Sequence, residues 1–364
     1  QLNQIVPIRG VTYSPVPVGQ DQNLGIDWDA HIGDIDMLHG MGVNTIRTYS
    51  TPSISFLNAL AENHMQVIIG IPYNDDTGTG SDIKSGSYKG YIESIKDHPA
   101  VRMVVFGNEY NYHSEWFGND LNNWYNALAQ AARETNRIAP NLKVATVQGE
   151  VPSADIVTRF IENGESLIDV WGINTYRYGD ITSVYAEWQT LLQDSQIPDD
   201  LQMFIAETGT DAFNGTTDQE DQVTQTRVNN RIWQDMVELA DPNIFLGVTF
   251  MEFNDEWWKS GRPSTHDTTA VALSVPNDNQ GHEEWWGFVD VNRNPRDVYR
   301  TFQQLWTGEQ FDVEYVDAGG HKLSIEQLIV RKAELTAQIA QYESALAAVE
   351  VKEGDEDRYL TEED

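Results

Sequence analysis

The chain has 364 residues, no cysteine, and 57 Asp and Glu against 23 Lys and Arg, a formal net charge of −34. This length accommodates one large α/β domain with an appendage, and a charge of this size repels nucleic acid and anionic lipid, so neither is expected as a partner. Without cysteine there are no disulfides and no thiolate metal sites, and without an apolar run of about 18 residues no membrane span is expected.

Only a small part of the negative charge falls in the last 44 residues, so the acidity belongs to the main body and is not a tail effect. It fits an ordinary acidic secreted protein, or a marine or halophilic one for which salt screens the self-repulsion. A start at Gln1 fits a secreted or periplasmic protein after processing, or a trimmed chain.

In chain order, strand-like runs at 5–14, 43–49, 65–73, 101–110, 142–148, 168–176, 203–208 and 245–254 alternate with helical patterns. The predicted helices are 28–41, 53–63, 88–96, 119–138, 154–163, 184–194 and 224–239, with a last one at 296–306. Gly40 and Gly42 follow the first helix, and Pro99, Pro140 and Pro198 precede the fourth, fifth and seventh strands. Eight strands separated by helices predict an α/β fold of the (β/α)8 TIM-barrel type over residues 1–310.

Residues 259–295 interrupt the path from the eighth strand to the final helix, and long insertions after barrel strands commonly build a cleft. Within the insertion, Trp285 and Trp286 beside Glu283 and Glu284 read equally as a sugar-stacking wall or as a hydrophobic plug. Over 321–352, Ile325, Leu328, Lys332, Leu335, Ile339, Tyr342, Leu346 and Val349 recur at spacings of three and four. That seam predicts a C-terminal helix, either packed on the barrel or serving as a coiled coil for self-association or as a spacer to further domains. The last stretch, 353–364, reads as an acidic disordered tail.

Two strand ends carry the chemistry. Val101-Arg-Met-Val-Val-Phe-Gly-Asn-Glu109 and Phe204-Ile-Ala-Glu207 are apolar runs that end in a glutamate. Active sites of barrels sit at strand C-termini, and strands four and seven face each other across the mouth. A pair of carboxyls flanking one bond is the equipment of retaining glycoside hydrolysis, with Glu109 as acid/base and Glu207 as nucleophile. Glu252, beyond strand eight, competes for the nucleophile role if the strand count slips by one; otherwise it reads as a ligand for sugar hydroxyls.

Arg47 is placed to pair with the nucleophile, Tyr176 to donate to it, and Asn108 to help hold the substrate. Tyr13, Tyr49, Trp257 and Trp258 offer ring faces to a pyranose. No metal is expected: the 8 histidines form no HExxH or other ligand spacing, and the acid pairs Asp75–Asp76 and Asp255–Glu256, which could bind Ca2+ at a loop, read better as solvated surface. There is no G-x-S-x-G elbow and no phosphate-cradling loop, and no cofactor is expected.

The segments Gly10-Val-Thr-Tyr-Ser-Pro-Val-Pro-Val-Gly-Gln20, Ile46-Arg-Thr-Tyr-Ser50 and Phe106-Gly-Asn-Glu109, with Glu207, resemble clan A glycoside hydrolases. In motif they are closest to the bacterial branch of glycoside hydrolase family 17, and they are similar also to families 72 and 2. The resemblance spans residues 5–306. It implies a retaining mechanism with Glu109 and Glu207 in the roles above, and Asn108 as donor to the substrate 2-hydroxyl. It further implies Tyr176 as hydrogen-bond partner of the nucleophile and Trp257 or Trp258 beneath the sugar. A β-glucan, β-1,3-linked by preference, is the expected substrate. A transglycosylase on the same scaffold, or a non-catalytic sugar-binding scaffold protein, remains an alternative.

Overall fold

The computed structural model describes residues 7–21, 25–71, 86–239, 241, 243–276 and 278–308. The segment 321–352 and the tail 353–364 lie outside the described residues, as does the pair Asp75–Asp76.

Eight parallel strands close into a barrel: β1 (Ile8–Thr12), β2 (Thr45–Thr48), β3 (Gln66–Ile71), β4 (Val101–Phe106), β5 (Lys143–Gly149), β6 (Val170–Asn174), β7 (Gln202–Glu207) and β8 (Phe245–Phe250). Each neighbours the next in sequence, and β8 returns to β1 with Ile8 opposite Gly247. This is a (β/α)8 barrel, and all eight strands fall within or close to the runs expected from hydrophobic patterning.

Alternation along each strand sorts side chains into two layers. Ile8, Ile68, Met103, Val105, Val147 and Phe204 fill the barrel interior. Val11, Val67, Ile69, Val104 and Phe106 point outward, into the larger core beneath the helices. Each such side chain removed from water contributes about 1.5–3 kcal/mol.

Around the barrel lie α1 (Asp34–Met41), α2 (Ile54–Glu62), α3 (Tyr88–Ile95), α4 (Leu121–Ile138), α5 (Thr182–Leu191), α6 (Gln222–Leu239) and α7 (Asp297–Thr307). Their starts are chemically marked. Ser53 Oγ accepts from the Phe56 amide at 3.1 Å and caps α2, and Asp120 Oδ1 accepts from the Asn122 amide at 3.0 Å and caps α4. α4 buries Trp124, Leu128, Ala131 and Thr135 at the three-and-four spacing of a single face.

Two predicted helices are shorter than expected. The 28–41 pattern is a 3-10 turn at Trp28–His31 followed by α1. The 154–163 pattern is a helical turn at Ala154–Val157, a 3-10 turn at Thr158–Phe160, and then a hairpin pairing Ile161–Glu162 with Glu165–Ser166. Asn163 and Gly164 take φ of 54° and 85°, the left-handed pair of a tight hairpin turn, which no helix can continue through.

The insertion after β8 carries a second hairpin, β9 (Ala270–Ala272) with β10 (Gln280–His282). Among the described residues no helix is long and apolar enough to cross a membrane.

Candidate active site

β4 ends in Gly107-Asn108-Glu109. Gly107 has φ 85°, and a Cβ there would fall 2.4 Å from the Trp124 ring, so only glycine lets the chain turn over α4. Glu109 itself takes φ 50°, ψ 24°. That left-handed conformation costs a non-glycine residue about 1 kcal/mol or more and concentrates at functional sites. The turn carries the carboxyl off the strand axis and into a cavity of about 700 Å³ above the barrel. Burial, followed by the charge of Glu207, pushes the Glu109 carboxyl up to about 7, while Asn174 and Arg47 act in the opposite direction.

Glu207 is the last residue of β7 and lines the same cavity. Its Oε1 accepts from Arg47 Nη1 at 2.8 Å and from the Tyr49 hydroxyl at 2.7 Å, and its Oε2 accepts from the Tyr176 hydroxyl at 3.2 Å. Three donors thus converge on one carboxylate. Arg47, on β2 and 2% exposed, also donates to the Ala206 carbonyl at 2.9 Å and to Asn108 Oδ1 at 2.7 Å. Because a guanidinium can only donate, Oδ1 must be the end of the Asn108 amide that faces it, leaving Nδ2 as the donor end. Asn174 Nδ2 donates to the same Oδ1 at 3.2 Å. The chain of contacts Tyr49–Glu207–Arg47–Asn108–Asn174 therefore joins the ends of β2, β4, β6 and β7.

Arg47, Asn108, Tyr176, Glu109 and Glu207 are thus brought together. Tyr49 is too, but in a different capacity. The Arg47 guanidinium carbon lies 4.7 Å over its ring, so that face is taken and the hydroxyl contacts the nucleophile candidate. Burial, and then the Glu207 charge, raise the Tyr49 pKa well above its ordinary value, which keeps the hydroxyl a donor.

Four expectations are corrected. Tyr13 is 1% exposed and packs against Trp28, Phe56 and Phe253, with its hydroxyl donating to Asp34 Oδ2 at 2.7 Å. Strand alternation is the reason: Ile8, Gly10 and Thr12 face inward, so Tyr13 faces the helices and not the sugar.

Glu252 is 2% exposed and its Oε2 is held by Lys259 Nζ at 2.9 Å. It does not line the cavity. Burial, and then the neighbouring Glu256, push its carboxyl above the usual carboxylate range, with Lys259 opposing, so that the group is closed into an ion pair away from the cavity.

Trp257 and Trp258 do not line the cavity either, and Trp257 stacks on His266 with centroids 5.0 Å apart. The residue just past β8 that does line it is Met251, whose sulfur lies 2.9 Å from the Tyr176 hydroxyl oxygen.

Asp255 and Glu256 are not solvated. Asp255 is 1% exposed, with Arg296 Nη1 and Nη2 at 2.7 and 2.8 Å, and Glu256 is paired with Lys259 at 3.1 Å. Among the described residues no cluster of three or more His, Cys, Asp or Glu could hold a metal ion.

The insertion does form a wall of the cavity, through β9, the turn after it and Glu283. Its tryptophans act as a plug. Trp286 is fully buried, edge-on to Tyr176 at 5.2 Å, and Trp285 lies between Phe213 and His266.

Asn174, Met251, Glu283, Tyr112 and Tyr178 are site residues that pattern reading did not assign. Asn174 and Met251 carry the one usable signal, a strand C-terminus. Glu283 comes from the insertion, where no periodicity fixes its direction. Burial raises its carboxyl above the ordinary value, with Lys259 opposing and Glu207 reinforcing the shift.

No protein-family model and no curated protein matches the chain. Solved structures do match in fold. A β-D-glucuronidase of Dictyoglomus thermophilum superposes with a TM-score of 0.54 at 17% identity, over 84% of this chain and 51% of that one. A β-glucuronidase of Parabacteroides merdae gives 0.59 at 17% identity, over 83% and 36%. A family GH2 β-galacturonidase of Eisenbergiella tayi gives 0.56 at 15% identity, over 84% and 52%. The chain spans about half or less of the length of these enzymes. At such identity the likeness is one of fold: a (β/α)8 barrel of the kind found in glycoside hydrolases.

Proposed function

We propose that the chain is a retaining β-glycosidase in which Glu109 is the acid/base and Glu207 the nucleophile. The observation that carries this reading is the unequal treatment of two glutamates in one cavity. Glu207 receives three donated hydrogen bonds, as a carboxylate would, whereas Glu109 has a pKa of about 7 and so can hold a proton at neutral pH.

In the first step Glu207 attacks the anomeric carbon as the bond to the leaving oxygen breaks, and Glu109 gives that oxygen its proton. In the second step Glu109, now a base, takes a proton from water as the water oxygen displaces Glu207. Arg47, Tyr49 and Tyr176 hold the nucleophile oriented, and the Nδ2 end of Asn108 is available to a sugar hydroxyl.

The substrate we propose is a β-glucan, with β-1,3 linkage first in line on the motif resemblance to family 17. The cavity itself supports an uncharged sugar over the uronides named for the enzymes of similar fold. Among the described residues, the cation that lines the cavity, Arg177, is already held by Glu150 and Glu187, and Arg47 and Lys259 are held by Glu207 and by Glu252 and Glu256. A uronate would enter a space walled by Glu109, Glu150, Glu207 and Glu283.

Proton NMR of the first product released from β-1,3-gluco-oligosaccharides tests the reading. A β-anomer appearing first is expected, and an α-anomer would exclude a retaining pair. Products longer than the substrate would identify transfer in place of hydrolysis. Faster turnover of a β-glucuronide than of the matching β-glucoside would overturn the choice of sugar.

A further inference from the structure

Two tyrosines on the cavity rim are exposed in a way that packing does not explain. Tyr112 and Tyr178 are 57% and 51% exposed, although the other aromatics of this rim, Trp286 and Tyr176, are buried or half-buried. Both tyrosines line the cavity that holds Glu109 and Glu207.

Each is held in place by local structure. Tyr112 closes a 3-10 turn on Glu109, its amide donating to the Glu109 carbonyl at 3.0 Å. Its ring lies against Gly149 so closely that a Cβ at 149 would fall 2.1 Å from it. Only a glycine lets the ring rest on the end of β5.

Tyr178 takes φ 53°, its amide donates to the Ser274 carbonyl at 2.7 Å, and its hydroxyl donates to Asn279 Oδ1 in the β9–β10 turn. The same wall carries the Glu150–Arg177 ion pair, which Glu187 backs at 2.6 Å. Of the nine non-glycine residues described with positive φ, Glu109, Glu150, Tyr178 and Asn279 all line this one cavity. Backbone strain gathered in this way marks a surface shaped for something other than stability.

We propose that Tyr112 and Tyr178 form a leaving-group subsite that stacks the sugar on the Glu109 side of the scissile bond, so that the substrate is an oligosaccharide chain and not a glycoside of a small alcohol. The inference rests on the reading of Glu109 as the acid. The acid must touch the oxygen that leaves, so the leaving sugar lies on the side of Glu109, and Tyr112 is the exposed ring one turn beyond it. A pyranose presents apolar C–H faces to an aromatic ring, while Glu150, Arg177 and Asn279 offer its hydroxyls acceptors and donors within the same wall. In the second step the same surface holds an acceptor sugar in competition with water.

The test compares laminaritriose, the β-1,3-linked glucose trimer, with β-D-glucosyl fluoride, which has no leaving sugar and needs no acid. Tyr112→Ala should lower kcat/KM on the trimer at least 10-fold more than on the fluoride, mainly through KM. Tyr112→Phe, which keeps the ring, should recover most of the loss, and Tyr178→Ala should show the same selectivity at about 5-fold.

The fluoride rate reports whether each variant has folded. Equal losses on the two substrates, or no loss on the trimer, would overturn the subsite while leaving the glycosidase reading in place. A wild-type protein that turns over neither compound removes the proposed function and this subsite with it.

Discussion

Two acidic regions of this molecule look alike in sequence and behave differently in the fold. One is the pair of strand-end glutamates, Glu109 and Glu207. The other is the cluster just past β8, where Glu252, Asp255 and Glu256 follow one another beside two tryptophans. In the second region every carboxylate is closed off: Arg296 takes Asp255 by both oxygens, and Lys259 sits between Glu252 and Glu256. None of the three is more than 2% exposed.

In the first region one guanidinium serves Glu207, and no ion pair holds Glu109 among the described residues. Glu109 faces the cavity with another carboxylate as its main charged neighbour. A cation that closes on a buried carboxylate commits it to holding the chain together, because breaking such a pair is costly. A carboxylate left beside a like charge at a cavity has a proton to give. The difference lies in where the cations stand, not in how many acids there are.

The sharpest break of this comparison is Glu207→Gly. If Glu207 is the nucleophile, kcat on a β-glucoside should fall by roughly 10^4-fold or more. Added azide should then yield the α-glycosyl azide, the product of direct displacement from the β-glycoside. Activity within 10-fold of wild type would move Glu207 into the structural class.

Glu109→Gln comes next, with a loss of about 10^2–10^4-fold on poor leaving groups. In the wild type, kcat/KM should decline as pH rises through about 7, where the acid loses its proton, and the variant should lack that limb. Stability gives an independent reading. The folded state holds the Glu109 proton more tightly than the unfolded chain, at about 7 against an ordinary 4.5. Its contribution is therefore complete below about pH 4.5 and is lost as pH rises through 7, a change of about 3 kcal/mol. Glu109→Gln should accordingly gain in melting temperature relative to wild type between pH 5 and pH 8. A constant difference across that range would show that the carboxyl is not destabilised by its surroundings.

Much of this was legible in the sequence because it depends on local rules. Eight apolar runs between amphipathic segments set the barrel, and a glutamate at the end of a buried strand has only the mouth to face. Arg47 and Tyr176 were legible for the same reason, being near the ends of β2 and β6. Failures came where direction depends on something other than the strand. Tyr13 lies one residue beyond β1 and alternates to the helix side. The 154–163 pattern scores as helical until Asn163-Gly164 is recognised as a hairpin turn. Asp255 looked solvated because Arg296, which holds it, stands 41 residues away in the chain. Glu283, Tyr112 and Tyr178 belong to loops, whose paths no hydrophobic period encodes.

The mildest change to activity should come from the closed region, which makes it the most exacting check of the comparison. Asp255→Asn removes the charge that Arg296 grips with two nitrogens, leaving a guanidinium 4% exposed with Glu220 at 2.7 Å as its remaining carboxylate. Its acceptor for the Gly287 amide can persist in the asparagine oxygen, so the chain path is kept while the pairing energy is not. The expected cost is about 3 kcal/mol in stability, read by urea denaturation, with kcat/KM of the folded fraction at 20 °C within about threefold of wild type. Asp255 makes no part of the cavity wall, so nothing ties its charge to the reacting atoms. A variant that kept its stability and lost turnover would reverse the assignment of the two regions, because the acids past β8 would then be acting on substrate through a cleft rearranged from the one described.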